Sequence, residues 1–186
     1  MAFVALLDAS VLVPGSLSDT LLRAAESYLY RLTWSDEILA EVERSLISSL
    51  GVDPDKARRR VDAMRLAFPE AAVESYQTLE PSIPGVHPDD RHVAAAAVKA
   101  GAQVIVTSNL RHFPQSALDP YDIEAQSPDE FLQHLFHLAS ERMVQIIVEQ
   151  AVALRSPPRS PLEVCEHLRP FAPGFVQLVE KDLSGR

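Results

Sequence analysis

Two short apolar runs, each followed by polar residues, most restrict what this chain can fold into. One run ends at Asp8, and the other is the segment QVIVT at residues 103–107. Strands that are apolar throughout, rather than alternating, are typical of a parallel sheet covered on both faces. An Ala-rich helix over residues 90–101 leads directly into the second run, as in half of a βαβ unit. The sequence therefore predicts an α/β fold built on a parallel sheet.

Polar side chains follow both predicted strands. Asp8 closes the first strand, and Asn109 lies two residues beyond the end of the second. In open α/β sheets the carboxyl ends of the strands face the crevice where ligands bind. Both side chains are therefore placed for chemistry, and the alternative for Asp8 is a carboxylate that caps a helix or a turn.

Two further carboxylates lie on predicted helices. Glu41 belongs to a helix that starts near Ser35, and it lies at the edge of the apolar stripe, about 60° from its middle. Asp90 lies in the first turn of the Ala-rich helix. Taken alone, Glu41 is a solvated glutamate, and Asp90 is a charge that the helix dipole stabilises by about 0.3–1 kcal/mol.

Taken together, these acids indicate a cation site. Carboxylates brought together from distant segments repel one another, which raises their pKa values unless a hard divalent cation lies between them. A Mg²⁺ or Mn²⁺ site that cleaves phosphodiester bonds is therefore the leading hypothesis.

Composition limits the remaining possibilities. The chain has 186 residues, enough for one domain with an appendage, and no apolar run reaches the roughly 18 residues that span a bilayer. The N-terminal segment lacks the basic start of a signal peptide, so we expect a soluble cytoplasmic protein without a membrane partner. The single cysteine, Cys165, cannot form an internal disulfide.

The net charge bears on nucleic-acid binding. A formal charge of -9 disfavours broad, non-specific contact with phosphate backbones, so a nucleic-acid substrate would have to meet a local basic patch and bridging metal ions. The densest basic cluster, which includes Arg58 and Arg59, lies on a helix predicted over residues 53–67. It either binds substrate phosphates or is a solvated helix face.

The chain is predicted to divide after residue 138. Residues 1–138 form the α/β domain, and residues 139–186 form a helical C-terminal extension that a Pro-rich segment at 156–161 interrupts. The apolar residues beyond that segment need a surface to cover. We expect the extension to pack back on the domain or onto another chain.

Five motifs carry a resemblance to a known family. In order, they are DxSVLV from Asp8, WxxxILxEV from Trp34, DDRHVAAAA at 89–97, VTSNLRHFP at 106–114 and SPDEFL at 127–132. As a set, over about residues 2–135, they resemble the PIN-domain superfamily and most closely its VapC-type toxin branch. The resemblance implies a PIN-like parallel sheet flanked by helices. It also implies an acidic crevice that binds Mg²⁺ or Mn²⁺ and cuts single-stranded or loop RNA.

The resemblance assigns roles to individual residues. Asp8, Glu41 and Asp90 match the family's metal ligands, while Ser10 and Thr107 match the residues that support the first aspartate. Many PIN nucleases have an aspartate where this chain has Asn109. An amide still offers a carbonyl oxygen but no charge, so a second metal should bind more weakly. We interpret Asn109 as a variation within active enzymes and keep it in the catalytic set.

Other polar residues near these motifs have two interpretations. Arg91, His92 and Arg111 are candidates for contact with substrate phosphates, and a plain surface role is the alternative. A transition-metal site formed by the cluster at residues 87–92 is disfavoured because Pro88 interrupts it.

These observations predict a metal-dependent endoribonuclease, the toxin of a type II toxin–antitoxin pair. Its expected partners are an RNA substrate, a cognate antitoxin protein and a second copy of the chain in a homodimer. Two alternatives remain open. One is a catalytically silent PIN-fold module that binds RNA or protein, and the other is a structure-specific DNA nuclease.

Overall fold

The strands form a parallel sheet in the computed structural model, which describes residues 3–185. Among these residues the sheet has four strands in the order β2-β1-β3-β4, and each neighbouring pair is parallel. Both central strands, β1 and β3, are buried along their whole length, as their continuous apolar sequences require. The prediction of an α/β fold with a parallel sheet is confirmed. The strand bounds are β1 Val4–Leu7, β2 Arg31–Thr33, β3 Val104–Val106 and β4 Glu124–Gln126.

Helices connect and flank these strands. In the described residues the α-helices are α1 Ala9–Leu12, α2 Gly15–Glu26, α3 Asp36–Ser48, α4 Pro54–Ala67, α5 Arg91–Ala100, α6 Gln115–Leu118, α7 Pro128–Leu138, α8 Ser140–Ala153, α9 Pro161–Leu168 and α10 Pro173–Ser184. Short 3-10 helices cover Gln77–Ser82, Pro88–Asp90, Leu110–His112 and Asp119–Tyr121.

Local signals explain where the two helices nearest the candidate site begin and end. The Ser35 side chain accepts a hydrogen bond from the backbone N–H of Ile38 at 3.2 Å, so it caps α3. Helix α5 follows the 3-10 turn that contains Asp90, and the run from Ala94 to Ala97 within it is buried. Gly101 ends α5 in the left-handed conformation, with a φ of 63°, which a residue without Cβ adopts at no steric cost.

The contacts between residues divide the described chain into two units. Unit 1 consists of the residues up to Val13 and of Tyr30–Gln126, so it contains the sheet, α1 and α3 to α6. Unit 2 consists of Pro14–Leu29 and of the residues from Ser127 onward, so it contains α2 and α7 to α10. The contacts therefore do not divide at residue 138, because α2 and α7 pack with the C-terminal helices. A domain boundary after residue 138 stays a prediction, whereas the helical character of the C-terminal region is confirmed.

Unit 2 contains a capped helix, a buried polar pair and buried apolar side chains on α7, α8 and α10. Ser127 and Glu130 form a capping box at the start of α7, with backbone-to-side-chain distances of 3.2 and 3.0 Å. Thr20 of α2 donates to Gln150 of α8 at 2.8 Å, and both side chains are buried. In residues 3–185, no helix has the length and apolar character needed to cross a membrane.

Candidate active site

A cavity of about 280 Å³ in unit 1 collects the acidic residues that the sequence singled out. Its lining includes Asp8 after β1, Glu41 in the middle of α3, Asp90 just before α5, and Asn109 beyond β3. These residues come from four separate segments of the chain. The fold therefore brings the four predicted catalytic side chains to one opening.

Asp8 is the most buried member of this set. Only 3% of the residue is exposed, and its backbone N–H donates to the carbonyl oxygen of Val106 at 3.1 Å, which joins the ends of β1 and β3. The carboxylate oxygen Oδ2 accepts hydrogen bonds from the hydroxyls of Ser10 at 2.6 Å and Thr107 at 2.7 Å. These are the two residues that the family resemblance named as supports.

The same hydroxyls also hold the segment after β3. Ser10 Oγ accepts from the backbone N–H of Ser108, and Thr107 Oγ1 accepts from that of Asn109, each at 3.0 Å. Each hydroxyl thus donates to Asp8 and accepts from this segment. The position of Asn109 at the cavity is coupled in this way to the carboxylate of Asp8.

The protonation of Asp8 reflects its surroundings. Burial raises the pKa of its carboxyl group above the ordinary value, the hydrogen bonds from Ser10 and Thr107 lower it, and the negative charges of Asp90 and Glu41 raise it further. The net effect is a raised pKa. A cation in the cavity would offset the negative charges of Asp90 and Glu41 and so lower the pKa of Asp8.

Asp90 contacts two histidines. Its Oδ2 lies 2.8 Å from Nδ1 of His112 and 3.6 Å from Nδ1 of His87, and the two imidazole rings lie face to face with their centroids 4.4 Å apart. The Asp90 side chain is 16% exposed, so the histidines cover one side of a carboxylate that also lines the cavity.

Glu41 has a histidine beside it as well. Nε2 of His92, a residue only 5% exposed, lies 3.1 Å from Oε1 of Glu41, and Nδ1 lies 3.8 Å from Oε2 of Glu37. The first distance is within hydrogen-bond range, but neither ring nitrogen has an aligned hydrogen bond. We regard the pair as a close electrostatic contact. Burial lowers the pKa of His92, but the contact with Glu41 and the charges of Glu41, Glu37 and Asp8 outweigh it and raise the pKa overall.

The distances between ligand atoms separate two groupings. Within residues 3–185, the set of His, Cys, Asp and Glu side chains whose ligand atoms all lie within 4.8 Å of one another is His87, Asp90 and His112. The three carboxylates at the cavity are not so close, and their joint binding of one cation stays a prediction. The residues of the sequence cluster at 87–92 are also separated in the structure. His92 lies against Glu41, whereas His87 lies with Asp90 and His112.

The predicted phosphate-binding residues differ in their surroundings. His92 is buried and lies against Glu41, so its contact with substrate stays a prediction. The Arg91 guanidinium donates to the carbonyl oxygens of Val86 at 3.3 Å and Pro84 at 3.2 Å, and so braces the connection before α5. Arg111 is exposed, and its Nε donates to Nε2 of His112 at 3.3 Å.

The basic cluster on α4 is mostly solvated. Arg58 is 62% exposed in its side chain and lies 4.0 Å from Glu43, while Arg59 is exposed. The neighbouring Arg60 instead donates to the carbonyl oxygens of Val13 at 3.1 Å and Leu12 at 2.7 Å, just where α1 ends. Neither Arg58 nor Arg59 lines the cavity.

Sequence reasoning missed one cationic residue of the cavity lining. Arg44 lies three residues after Glu41 on α3, its guanidinium is 3.9 Å from Oε1 of Glu41, and its side chain is 68% exposed. Helical spacing could have found it, because residues three apart lie on the same face. Arg44 places a positive charge at the rim of an otherwise acidic opening.

The residues present fit a hard divalent cation. Carboxylate and amide oxygens are the ligands that Mg²⁺ and Mn²⁺ prefer, and Asp8, Glu41, Asp90 and Asn109 supply both kinds in one cavity. Burial and the charges of Asp90 and Glu41 raise the pKa of Asp8, so a cation beside it would stabilise its ionised form. The donor chemistry and the electrostatics therefore agree.

The fold and this acidic cavity define a class of protein, and comparison with known families agrees with it. The PIN domain family model matches residues 4–111, more than half of the chain, and a second model, the VapC50 C-terminal domain, matches residues 128–181. The chain belongs to the PIN-domain family, and its VapC-type resemblance is confirmed.

A named relative lies within the same branch. The chain is 44% identical over 90 residues to a curated protein of Mycobacterium tuberculosis (strain ATCC 25618 / H37Rv) named "Putative ribonuclease VapC50". The match covers 48% of this chain and 53% of that protein, so it spans about half the length of the relative. No solved structure matches the chain.

Proposed function

We propose that the chain is a metal-dependent endoribonuclease that hydrolyses RNA phosphodiester bonds. The observation that carries the proposal is the cavity lined by Asp8, Glu41, Asp90 and Asn109. Membership of the PIN-domain family and the name of the mycobacterial relative, a ribonuclease, support the same activity. This is the function that fits the geometry best.

Each acidic residue has a role in this proposal. Asp8 and Asp90 would hold a Mg²⁺ or Mn²⁺ ion, and Glu41 would share it or orient the attacking water. The bound ion would lower the pKa of that water and neutralise the charge that develops on the phosphate oxygens. Ser10 and Thr107 fix the Asp8 carboxylate, since both hydroxyls donate to its Oδ2.

The residues around the acids would orient the substrate. Asn109 offers an amide at the cavity without adding charge, and Arg44 at the rim can contact a flanking phosphate. Arg111 is exposed and lies next to the site, so it is a second candidate for such a contact. Local cations of this kind would attract substrate phosphates to a protein whose overall formal charge is -9.

The biological setting is also part of the proposal. We infer that the chain is the toxin of a type II toxin–antitoxin pair, with a cognate antitoxin as partner and a homodimer as its assembly. The match of residues 128–181 to the VapC50 C-terminal domain supports a relation to VapC proteins. Light scattering of the chain alone and with its antitoxin measures both assemblies.

Cleavage by purified protein tests the activity. Wild-type protein should cut single-stranded RNA with Mg²⁺ or Mn²⁺ and should stop when EDTA is added, and Asp8→Ala or Asp90→Ala should abolish cleavage and relieve growth inhibition. Asp89→Asn is the matched control, because the Asp89 side chain is 91% exposed. Unchanged cleavage by Asp8→Ala would refute the proposed site.

A second function is favoured by one observation. Asn109 stands where many PIN nucleases have an acid, which fits a catalytically silent module that binds RNA or protein. RNA binding without cleavage across a Mn²⁺ titration would select this alternative. Cleavage assays on matched RNA and DNA hairpins would separate an RNase from a structure-specific DNA nuclease.

A further inference from the structure

The hydrogen bond between Asp90 and His112 has a defined direction. A carboxylate only accepts hydrogen bonds, so the proton in the 2.8 Å contact lies on Nδ1 of His112. The other ring nitrogen, Nε2, lies 3.3 Å from Nε of Arg111, and a guanidinium only donates. These two contacts fit the imidazole tautomer with its hydrogen on Nδ1, in which both ring nitrogens have partners.

The backbone fixes the two segments that bear this pair. His87 N–H donates to the carbonyl oxygen of His112 at 3.0 Å, and Asp90 N–H donates to the carbonyl oxygen of His87 at 2.9 Å. The His87 ring then stacks on the His112 ring at a centroid distance of 4.4 Å. Asp90 and His112, 22 residues apart in sequence, are thus held by contacts that do not involve their own hydrogen bond.

The same stacking argues against a transition-metal site at these histidines. The ring planes differ by only 17°, and the lone pair of each nitrogen lies in its ring plane. In-plane lone pairs of two stacked rings cannot converge on one ion. In addition, Nδ1 of His87 accepts from the backbone N–H of Asp89 at 3.4 Å, so its lone pair is engaged. The geometry therefore suits a hydrogen bond from His112 to Asp90 rather than coordination of a metal ion by the two histidines.

We propose that His112 is a positioning residue for Asp90. Its Nδ1–H holds Oδ2 of the carboxylate, and the contact leaves Oδ1 available as a ligand for the divalent cation. The inference rests on the proposed function, because the purpose of positioning Asp90 is cation binding. Residues that orient a ligand in this way typically contribute 10–100-fold in metal affinity or activity.

Substitutions that move the donor by one bond test this role. The side-chain nitrogen of His112→Asn lies about where Nδ1 does, whereas that of His112→Gln lies near Nε2, and His112→Ala has no donor. His137→Asn is the matched control, because this histidine is exposed and belongs to unit 2. Thermal melting and circular dichroism establish that each full-length variant is folded.

Mn²⁺ binding by calorimetry and RNA cleavage are the readouts. We expect His112→Ala and His112→Gln to weaken Mn²⁺ binding and to slow cleavage by roughly 10–100-fold. His112→Asn should stay within a few-fold of wild type, as should the control. Equal effects of the Ala and Asn variants, or wild-type Mn²⁺ affinity in His112→Ala, would overturn the inference.

An NMR measurement separates this inference from the proposed function. The ¹⁵N shifts of the His112 ring, recorded in EDTA, should show the tautomer with the hydrogen on Nδ1, and the opposite tautomer would refute the positioning contact. Wild-type protein that neither binds Mn²⁺ nor cuts RNA would instead refute the proposed function, whatever the ring shifts show. The two failures are therefore distinguishable.

Discussion

Asp8→Asn should stabilise the metal-free protein while it removes the proposed activity. Asp8 is 3% exposed, and its ionised form faces two other carboxylates. An ionised group buried to this degree costs several kcal/mol in desolvation, and the asparagine avoids that cost. The asparagine oxygen can still accept from Ser10 and Thr107, with each hydrogen bond weaker by roughly 1 kcal/mol because its acceptor is neutral. We therefore expect the free energy of unfolding of the metal-free Asp8→Asn protein to exceed that of wild type by about 1 kcal/mol.

The assay is thermal unfolding in EDTA at several pH values. A gain of about 1 kcal/mol raises the melting temperature by about 2–4 °C in a chain of this size. Because the folded-state pKa of Asp8 is raised, the folded protein binds the carboxyl proton more tightly than the unfolded chain does. Wild-type stability therefore falls as the pH rises from the ordinary pKa of 3.8 to the raised one. The advantage of Asp8→Asn is therefore complete above the raised pKa and disappears as the pH approaches the ordinary value of 3.8.

A cation should reverse the order of the two proteins. Added Mn²⁺ stabilises whatever folded protein binds it, by about 2.7 kcal/mol at a hundredfold excess over the dissociation constant. Wild type should gain this stabilisation, and Asp8→Asn should gain much less. Asp89→Asn, whose side chain is exposed, should follow wild type within about 0.5 kcal/mol. If Asp8→Asn melts at or below the wild-type temperature in EDTA at pH 8, the reasoning about its buried charge is wrong.

Three further predictions concern single side chains. Asn109→Asp should keep or raise cleavage, because it adds a negative charge at the cavity. Calorimetry should show Mn²⁺ binding tighter by about 1 kcal/mol, which is roughly fivefold. Total loss of cleavage would instead show that the amide has a specific positioning role. Burial raises the pKa of the Cys165 thiol from 9.0 to about 11, so iodoacetamide should modify it at pH 8 at least about a hundredfold more slowly in the folded than in the unfolded protein. Comparable rates would show that the thiol is accessible. Ser127→Ala should lower the free energy of unfolding by about 1 kcal/mol in thermal melts, because Ser127 and Glu130 cap α7; an unchanged melting temperature would contradict this estimate.

The parts of the fold and site that the sequence predicts are those with a local signal. Continuous apolar runs predict β1 and β3, and their ends give the positions of Asp8 and Asn109. The caps Ser35 and Ser127 mark the starts of α3 and α7. The position of Glu41 at the edge of the apolar stripe of α3 indicated that its side chain faces the crevice, and Glu41 lines the cavity.

The parts that the sequence did not predict depend on contacts between distant residues. Helix α1, only four residues long, follows Asp8 directly, and a single turn is too short to show a periodic pattern. The contact between Asp90 and His112 joins residues 22 apart in the sequence. It depends on backbone hydrogen bonds between their two segments, for which the sequence has no local signal. The grouping of α2 with the C-terminal helices has the same cause, since no local pattern shows which distant helix covers an apolar face.

This grouping has a consequence for synthesis on the ribosome. Helix α2 leaves the ribosome early, but the helices that cover its apolar side, α8 and α9, are made more than a hundred residues later. At about 5–20 residues per second, that side stays uncovered for roughly 5–25 s during each round of translation. Nascent chains should therefore be more prone than finished protein to bind chaperones through α2.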